Sequence, residues 1–319
     1  MRFFADAQYS FLSKRKIAYV ISGVTILLLL GTALFFQASR GSWLNYGVDF
    51  LGGTLVQVRV DAPTDVAEVR QVVGGVIAGP EVTRFGEDTE FLVRAPQIET
   101  EAGAETADVI VQALQGQFGA DAVTVERTEV VGPKIGAELQ GRAAMALIVS
   151  FAATLIYLAF RFEWRFGVAA VIATLHDILV TLGLISLFQL EVSLPTVAAV
   201  LTIVGYSLND TIIVFDRIRE NLPKLGRREG YEAILDRSIN EVLPRTIMTS
   251  GTTLGALIAL FLLGGNIIQD FAMILILGIL IGTYSSIFVA SPALYEIERR
   301  TQQKHGGTAR KEGSRAAAL

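Results

Sequence analysis

Residues 194–221 read LPTVAAVLTIVGYSLNDTIIVFDRIREN. From 194 to 215 this stretch is long and apolar enough to cross a hydrocarbon core, which takes about 20 such residues, yet it carries a carboxylate, Asp210, well inside the run. A charged side chain in mid-membrane costs ~2.5–3.5 kcal/mol on the insertion scale, so such a residue faces other helices rather than lipid. The stretch therefore implies a bundle around it. Five further runs of the required length occur at 17–36, 142–160, 167–188, 246–264 and 270–291, giving six expected spans. The first run exceeds the 7–15 apolar residues of a cleaved leader and is read as a retained helix. The whole chain fits this class: 52% of its 319 residues are hydrophobic, 18% are charged, and the mean hydropathy is +0.50, whereas a soluble domain carries about 25% charged residues.

The short loops set the orientation, because Lys and Arg gather on the cytoplasmic side. Lys14, Arg15 and Lys16 precede the first run. Arg161 and Arg165 lie between the second and third, and Arg217, Arg219, Lys224, Arg227, Arg228 and Arg237 between the fourth and fifth. Arg299, Arg300, Lys304, Arg310 and Lys311 follow the sixth. The loops 189–193 and 265–269 hold no Lys or Arg. Both termini (1–16 and 293–319) are thus expected to be cytoplasmic, and 37–141 is expected outside. The tail from about Thr301, polar and without apolar periodicity, is expected to lack regular structure.

Segment 37–141 carries 7 Lys/Arg against 16 Asp/Glu. Its pattern predicts strand 54–60, helix 64–78, strands 81–86 and 89–95 joined through Phe85-Gly86-Glu87-Asp88, helix 100–118 and strand 122–130. The order βαββαβ predicts a ferredoxin-like α+β sandwich beside an all-α six-helix membrane bundle. That fold implies no activity by itself, and it suits a docking or spacer module as well as a ligand pocket.

Chemistry is expected where polar residues interrupt the spans. Asp177, beside His176, lies near the middle of the third run. Tyr206, Ser207, Asp210 and Arg217 fall near one face of the fourth, with Asn209 and Asp216 in an adjoining stripe. Arg245 and Thr246 open the fifth run, followed by Thr249, Ser250, Thr252 and Thr253; Asp270 stands at the start of the sixth. A carboxylate that alternates between ionised, beside a guanidinium, and neutral, in the apolar bundle, is a workable proton carrier. The competing reading is a permanent ion pair that locks helices. His176 serves equally as a relay or as a hydrogen-bonding group. Gly251/Gly255 and Gly278/Gly282 have the spacing that lets helices approach closely. With no cysteine and only His176 and His305, thiolate chemistry, disulfides and multi-histidine metal sites are excluded. No His-Glu-x-x-His or Gly-x-Gly-Asp context supports a protease. Neither a cofactor nor an enzymatic activity is expected.

Four stretches carry a family resemblance: Tyr46-Gly47-Val48-Asp49-Phe50-Leu51-Gly52-Gly53-Thr54, residues 131–139, residues 204–221 and residues 282–290. They resemble the SecD/SecF family of bacterial protein export, within the resistance–nodulation–division superfamily, and the single small outside domain resembles the SecF type. The resemblance implies a six-helix half that packs with SecD beside the SecYEG channel in the inner membrane. It implies preprotein substrates and the lipid bilayer as surroundings, YajC as a further partner, and no nucleic acid. It also implies proton-driven motion of outside, periplasmic domains, with a proton path at Asp210, Arg245 and Thr246. Asp177 is a further candidate there, supported by Tyr206, Ser207, Asn209 and His176. Gly47, Asp49, Phe50, Gly52 and Gly53 form the family motif. The alternatives are a proton-driven exporter half for small molecules or lipids, and a passive membrane scaffold.

Overall fold

The computed structural model describes residues 8–96, 105–226, 228–264 and 266–316. In chain order it contains α1 (Arg15–Arg40), β1 (Asn45–Tyr46), α2 (Val48–Leu51), β2 (Gly53–Val60), α3 (Val66–Gly74), β3 (Glu81–Arg84), β4 (Glu90–Ala95), α4 (Thr106–Phe118) and β5 (Val123–Val131). These are followed by α5 (Pro133–Arg161), α6 (Trp164–Phe188), β6 (Glu191–Val192), α7 (Leu194–Leu225), α8 (Tyr231–Leu263), α9 (Asn266–Ser285), a π-helical turn at Ser286–Ala290 and α10 (Ser291–Ala316). Six helical segments among the described residues are long and apolar enough to cross a membrane. The chain forms two compact units, one of them Asn45–Leu147 with Glu191–Val197.

In the smaller unit the sheet order is β3-β4-β2-β5 with every neighbour antiparallel. This is the arrangement that a βαββαβ chain adopts when each helix returns over the same face. Period 2 along β2 sends Val56, Val58 and Val60 to that face, where Phe91, Val93, Val69, Val73, Ile110 and Leu114 bury them. Leu55 and Leu92 take the other face, covered by Val48 of α2. The central hairpin turns through Gly86 at φ 79°, and the Phe85 N–H donates to the Glu90 carbonyl at 2.9 Å. Asp65 caps α3 by accepting from the Ala67 N–H at 3.2 Å. Residues 100–104 of the expected helix 100–118 lie outside the described residues.

The unit differs from the sequence reading at its margins. α1 continues to Arg40, and α5 begins at Pro133. The two-residue strands β1 and β6 pair in parallel, Asn45 with Glu191 and Tyr46 with Val192, which brings the loop before α7 into this unit. Two-residue strands carry no periodic signal, and their partners lie far apart in the chain.

In the membrane unit α6, α7 and the α9–α10 segment have 56%, 50% and 50% of their apolar windows buried, against 17% for α8 and 11% each for α1 and α5. The first three therefore form the interior. Beyond Thr301 the backbone continues as helix to Ala316 rather than losing regular structure. Gln, Lys, Arg and Ala are good helix formers, and the preceding turns supply the costly nucleus.

A buried polar seam in the helical bundle

Two glycines of α9 set the site. A Cβ placed on Gly282 would lie 2.8 Å from the Ser207 Cβ, and one on Gly278 would overlap Ile203. Only glycine permits this approach of α9 to α7, and it brings hydroxyls from both helices onto one carboxylate of α6. Asp177, 1% exposed, accepts from Ser285 Oγ at 2.7 Å and from Ser207 Oγ, both at Oδ2. Its Oδ1 meets His176 Nδ1 at 2.9 Å. Both carboxylate oxygens are engaged, so the ionised form is solvated by the protein itself.

Asp210 is built differently. It is 0% exposed, its Oδ2 receives one long bond from Ser250 Oγ at 3.5 Å, and its Oδ1 has no hydrogen-bond partner among the described residues. Ser250 in turn contacts Thr283 Oγ1 of α9 at 2.8 Å. Thr246, one turn earlier on α8, is buried with its hydroxyl unpartnered among the described residues. A buried ionised carboxylate so poorly provided with donors is costly, whereas a neutral one is tolerated.

The expected direct pairing of Asp210 with Arg245 is absent: no ion pair or hydrogen bond joins them among the described residues, and Arg245 is exposed. The reason is helical phase. Ser250 is the α8 residue that meets Asp210, and five residues of helix turn Arg245 about 140° away from it. Tyr206 is half-buried and its hydroxyl reaches Thr253 Oγ1 at 3.4 Å, away from the carboxylate, and Asn209 is exposed. Arg217 pairs with Glu241 and Glu220, each at 2.6 Å, and Asp216 with Arg161 at 2.6 Å. These five charged residues pair off at one end of α7 rather than continuing the seam. Sequence reading named Ser250 without a partner and did not single out Ser285 or Thr283 for the site. The signal that would have found them is the Gly278/Gly282 spacing, which marks the face of α9 that meets α7.

The motif after α1 is structural. Gly52 (φ 73°) and Gly53 (φ 122°) occupy backbone conformations that side chains disfavour, and a Cβ on Gly53 would lie 2.6 Å from the Ala95 carbonyl oxygen. The turn seats Phe50, whose carbonyl oxygen would lie 2.9 Å from a Cβ on Gly136. The Gly47 N–H donates to the Val192 carbonyl at 2.9 Å, and Asp49 Oδ2 accepts from the Leu194 N–H, the first of α7, at 3.0 Å. Arg94 of β4 closes on Glu191 beside them. Among the described residues no group of three or more His, Cys, Asp or Glu stands ready for a metal.

Comparison with known proteins agrees with this architecture. The family model described as protein export membrane protein SecD/SecF, C-terminal, matches residues 110–300, and that of the SecD/SecF GG motif matches 41–64. The protein translocase subunit SecF of Gemmatimonas aurantiaca is 49% identical over 306 residues, covering 94% of this chain and 90% of that protein. The SecF of Escherichia coli O157:H7 is 37% identical, covering 96% and 93%. The crystal structure of SecDF from Thermus thermophilus, described as translocon-associated, superposes with a TM-score of 0.81 at 36% identity and covers 94% of this chain. A SecDF structure in a super-membrane-facing form gives 0.68 at 38%. The chain spans 40% of the length of each of those SecDF chains. It belongs to the SecD/SecF family of protein export membrane proteins, as a member of its SecF branch.

Proposed function

We propose that the chain, together with SecD, uses the proton motive force to assist SecYEG-mediated translocation of preproteins, with Asp210 as the group that takes up and releases the proton. The observation that carries this reading is the fully buried Asp210 carboxylate, with one long hydrogen bond and an unpartnered Oδ1. A group whose charged form is so poorly supported is one whose charge changes with little rearrangement. Arg245 acts from the exposed side of α8, where a partner packing on that helix would enclose it, rather than as a permanent internal counter-ion. Gly251 and Gly255 lie on the same helix with nothing within 4 Å of a built Cβ, leaving room for SecD to pack. Thr246 lines the seam, and Tyr206 and Asn209 border it.

In this reading the membrane is the inner membrane, both termini are cytoplasmic, and the sheet unit is periplasmic. The lysine and arginine distribution supports the orientation. The role is transport, not catalysis. The driving energy suffices: one charge moved through 100 mV yields ~2.3 kcal/mol, and one pH unit adds about 1.4 kcal/mol, enough to bias a two-state motion.

The test is Asp210→Asn in vesicles holding the chain with SecD and SecYEG. Assembly is expected to be normal and stimulation of preprotein translocation by the proton gradient lost. A variant that assembles and still responds fully would show that Asp210 is structural. Imposing a sodium gradient instead separates the two coupling ions.

A further inference from the structure

A cavity of about 310 Å³ lies between α1, α6 and α9. Most of its wall is apolar, from residues such as Val180 and Leu280, but Ser22, Thr25, His176 and Tyr284 also line it. Ser22 Oγ and the Tyr284 hydroxyl are 3.3 Å apart. His176 turns its Nδ1 to Asp177, so Nε2 is the ring nitrogen left for the cavity, and among the described residues it has no partner. On the far side of the ring, Asp177 holds Ser207 of α7 and Ser285 of α9. A single side chain thus stands between a cavity and a fully engaged buried carboxylate. The proton-coupled reading of Asp210 leaves this pair unused.

We propose that His176 and Asp177 form a second proton-holding site, loaded from the α1–α6–α9 cavity through His176 Nε2. The inference rests on the proton-coupled reading of the bundle but assigns a separate site and route within it. The balance is simple. With the ring neutral, Nδ1–H donates to the ionised Asp177 and the pair carries a charge of −1. One proton arriving at Nε2 makes the imidazolium, and the pair becomes neutral overall. The Nδ1–H bond is kept, no covalent bond besides N–H is made or broken, and release reverses the step.

Among the described residues that line the cavity or bond to the pair, no cation compensates this charge change: α1 contributes the hydroxyls of Ser22 and Thr25, and α9 contributes Ser285 and the Tyr284 phenol. α7 contributes Ser207, with Asp210 three residues further along. The charge change falls on the hydrogen bonds that hold α7 and α9, since bonds to a carboxylate weaken when its net field is neutralised. Those bonds adjoin the stretch of α7 that carries Asp210, so loading the second site alters the setting of the first. The π-helical turn at Ser286–Ala290, directly after Ser285, is a backbone irregularity of the kind often found at functional sites.

Two measurements on the assembled complex with SecD in lipid vesicles test this. The chain has no cysteine, so Thr25→Cys can be compared with Leu27→Cys, which replaces a residue that is 70% exposed on another face of α1. A membrane-impermeant methanethiosulfonate is expected to label Thr25→Cys at least tenfold faster. Equal rates mean a cavity closed to water and overturn the route. The second measurement is ¹⁵N spectroscopy of the imidazoles, with the His176 signals assigned by their loss in His176→Gln. Nε2 is expected to take up a proton on acidification while Nδ1 stays protonated, and Asp177→Asn is expected to remove the fixed protonation of Nδ1. A ring that keeps one neutral tautomer between about pH 5 and pH 9 overturns the site. Both readouts are independent of translocation. Asp210→Asn with its gradient response intact would defeat the reading of Asp210 while a proton-binding His176 would still stand, whereas a silent His176 defeats this inference alone.

Discussion

Replacing Gly282 by Ala tests whether the approach of α9 to α7 is what assembles the seam. The new Cβ would lie 2.8 Å from Ser207 Cβ, 3.1 Å from its Cα and 3.2 Å from its Oγ. Carbon atoms in ordinary contact are about 3.5–4.0 Å apart, so the helices must part by roughly 0.7–1.2 Å. The backbone Cα at 3.1 Å means that no rotamer change of Ser207 relieves the whole overlap. The same separation, added to the 2.7 Å bond from Ser285 to Asp177, brings it to or past the edge of hydrogen bonding, which lies near ~3.2–3.5 Å. Overpacking costs about 1–3 kcal/mol, and weakening a bond to a charged group costs up to about 1.5–3 kcal/mol. Because the chain relaxes toward the cheaper combination, a loss of about 2–4 kcal/mol is expected, read as a fall of at least ~4 °C in the melting temperature of the purified complex. Adding Ser207→Gly removes the Cβ and Oγ overlaps and should restore part of the loss, so the two substitutions should couple with opposite sign to a simple sum. A melting temperature within 1 °C of the parent, or strict additivity of the pair, would mean that the Gly282 contact does not assemble the seam.

Gly251→Leu is expected to behave in the opposite way: with nothing within 4 Å of its Cβ, it should leave the chain's own folding intact but reduce co-purification of SecD several-fold. Gly53→Ala combines a φ of 122° with a Cβ 2.6 Å from the Ala95 carbonyl oxygen; it should destabilise the sheet unit by at least about 2 kcal/mol, seen as faster limited proteolysis of the full chain. Asp49→Ala leaves the first N–H of α7 without its acceptor and should cost about 1 kcal/mol, measured as a lower melting temperature, with Asp49→Asn retaining most of it.

Much of the architecture is legible without coordinates. Hydropathy adds along the chain, so six runs such as 167–188 or 194–215 identify themselves wherever they finally pack. Alternation in 54–60 and the turn at Phe85-Gly86 give the strands of the sheet unit for the same local reason. The β1–β6 pair was not legible, because two residues carry no period and the partner strand lies more than a hundred residues away. The continuation of α10 past Thr301 is not legible from polarity, because polar residues with good helix propensity extend a helix without an apolar face. Within the site, Asp210 and Asp177 were legible as misplaced charges, while the partners of each were not.

Composition and local spacing thus account for the spans, the βαββαβ order and the two intramembrane carboxylates. How the helices turn about their own axes is set by packing alone. That rotation places Gly278 and Gly282 inside, against Ile203 and Ser207, while the equally spaced Gly251 and Gly255 remain open. It gives Asp177 three donors and Asp210 one, and it sets Arg245 on the outside of α8. A helix shows the same sequence whichever face it buries, and the choice belongs to the packing of all the helices at once.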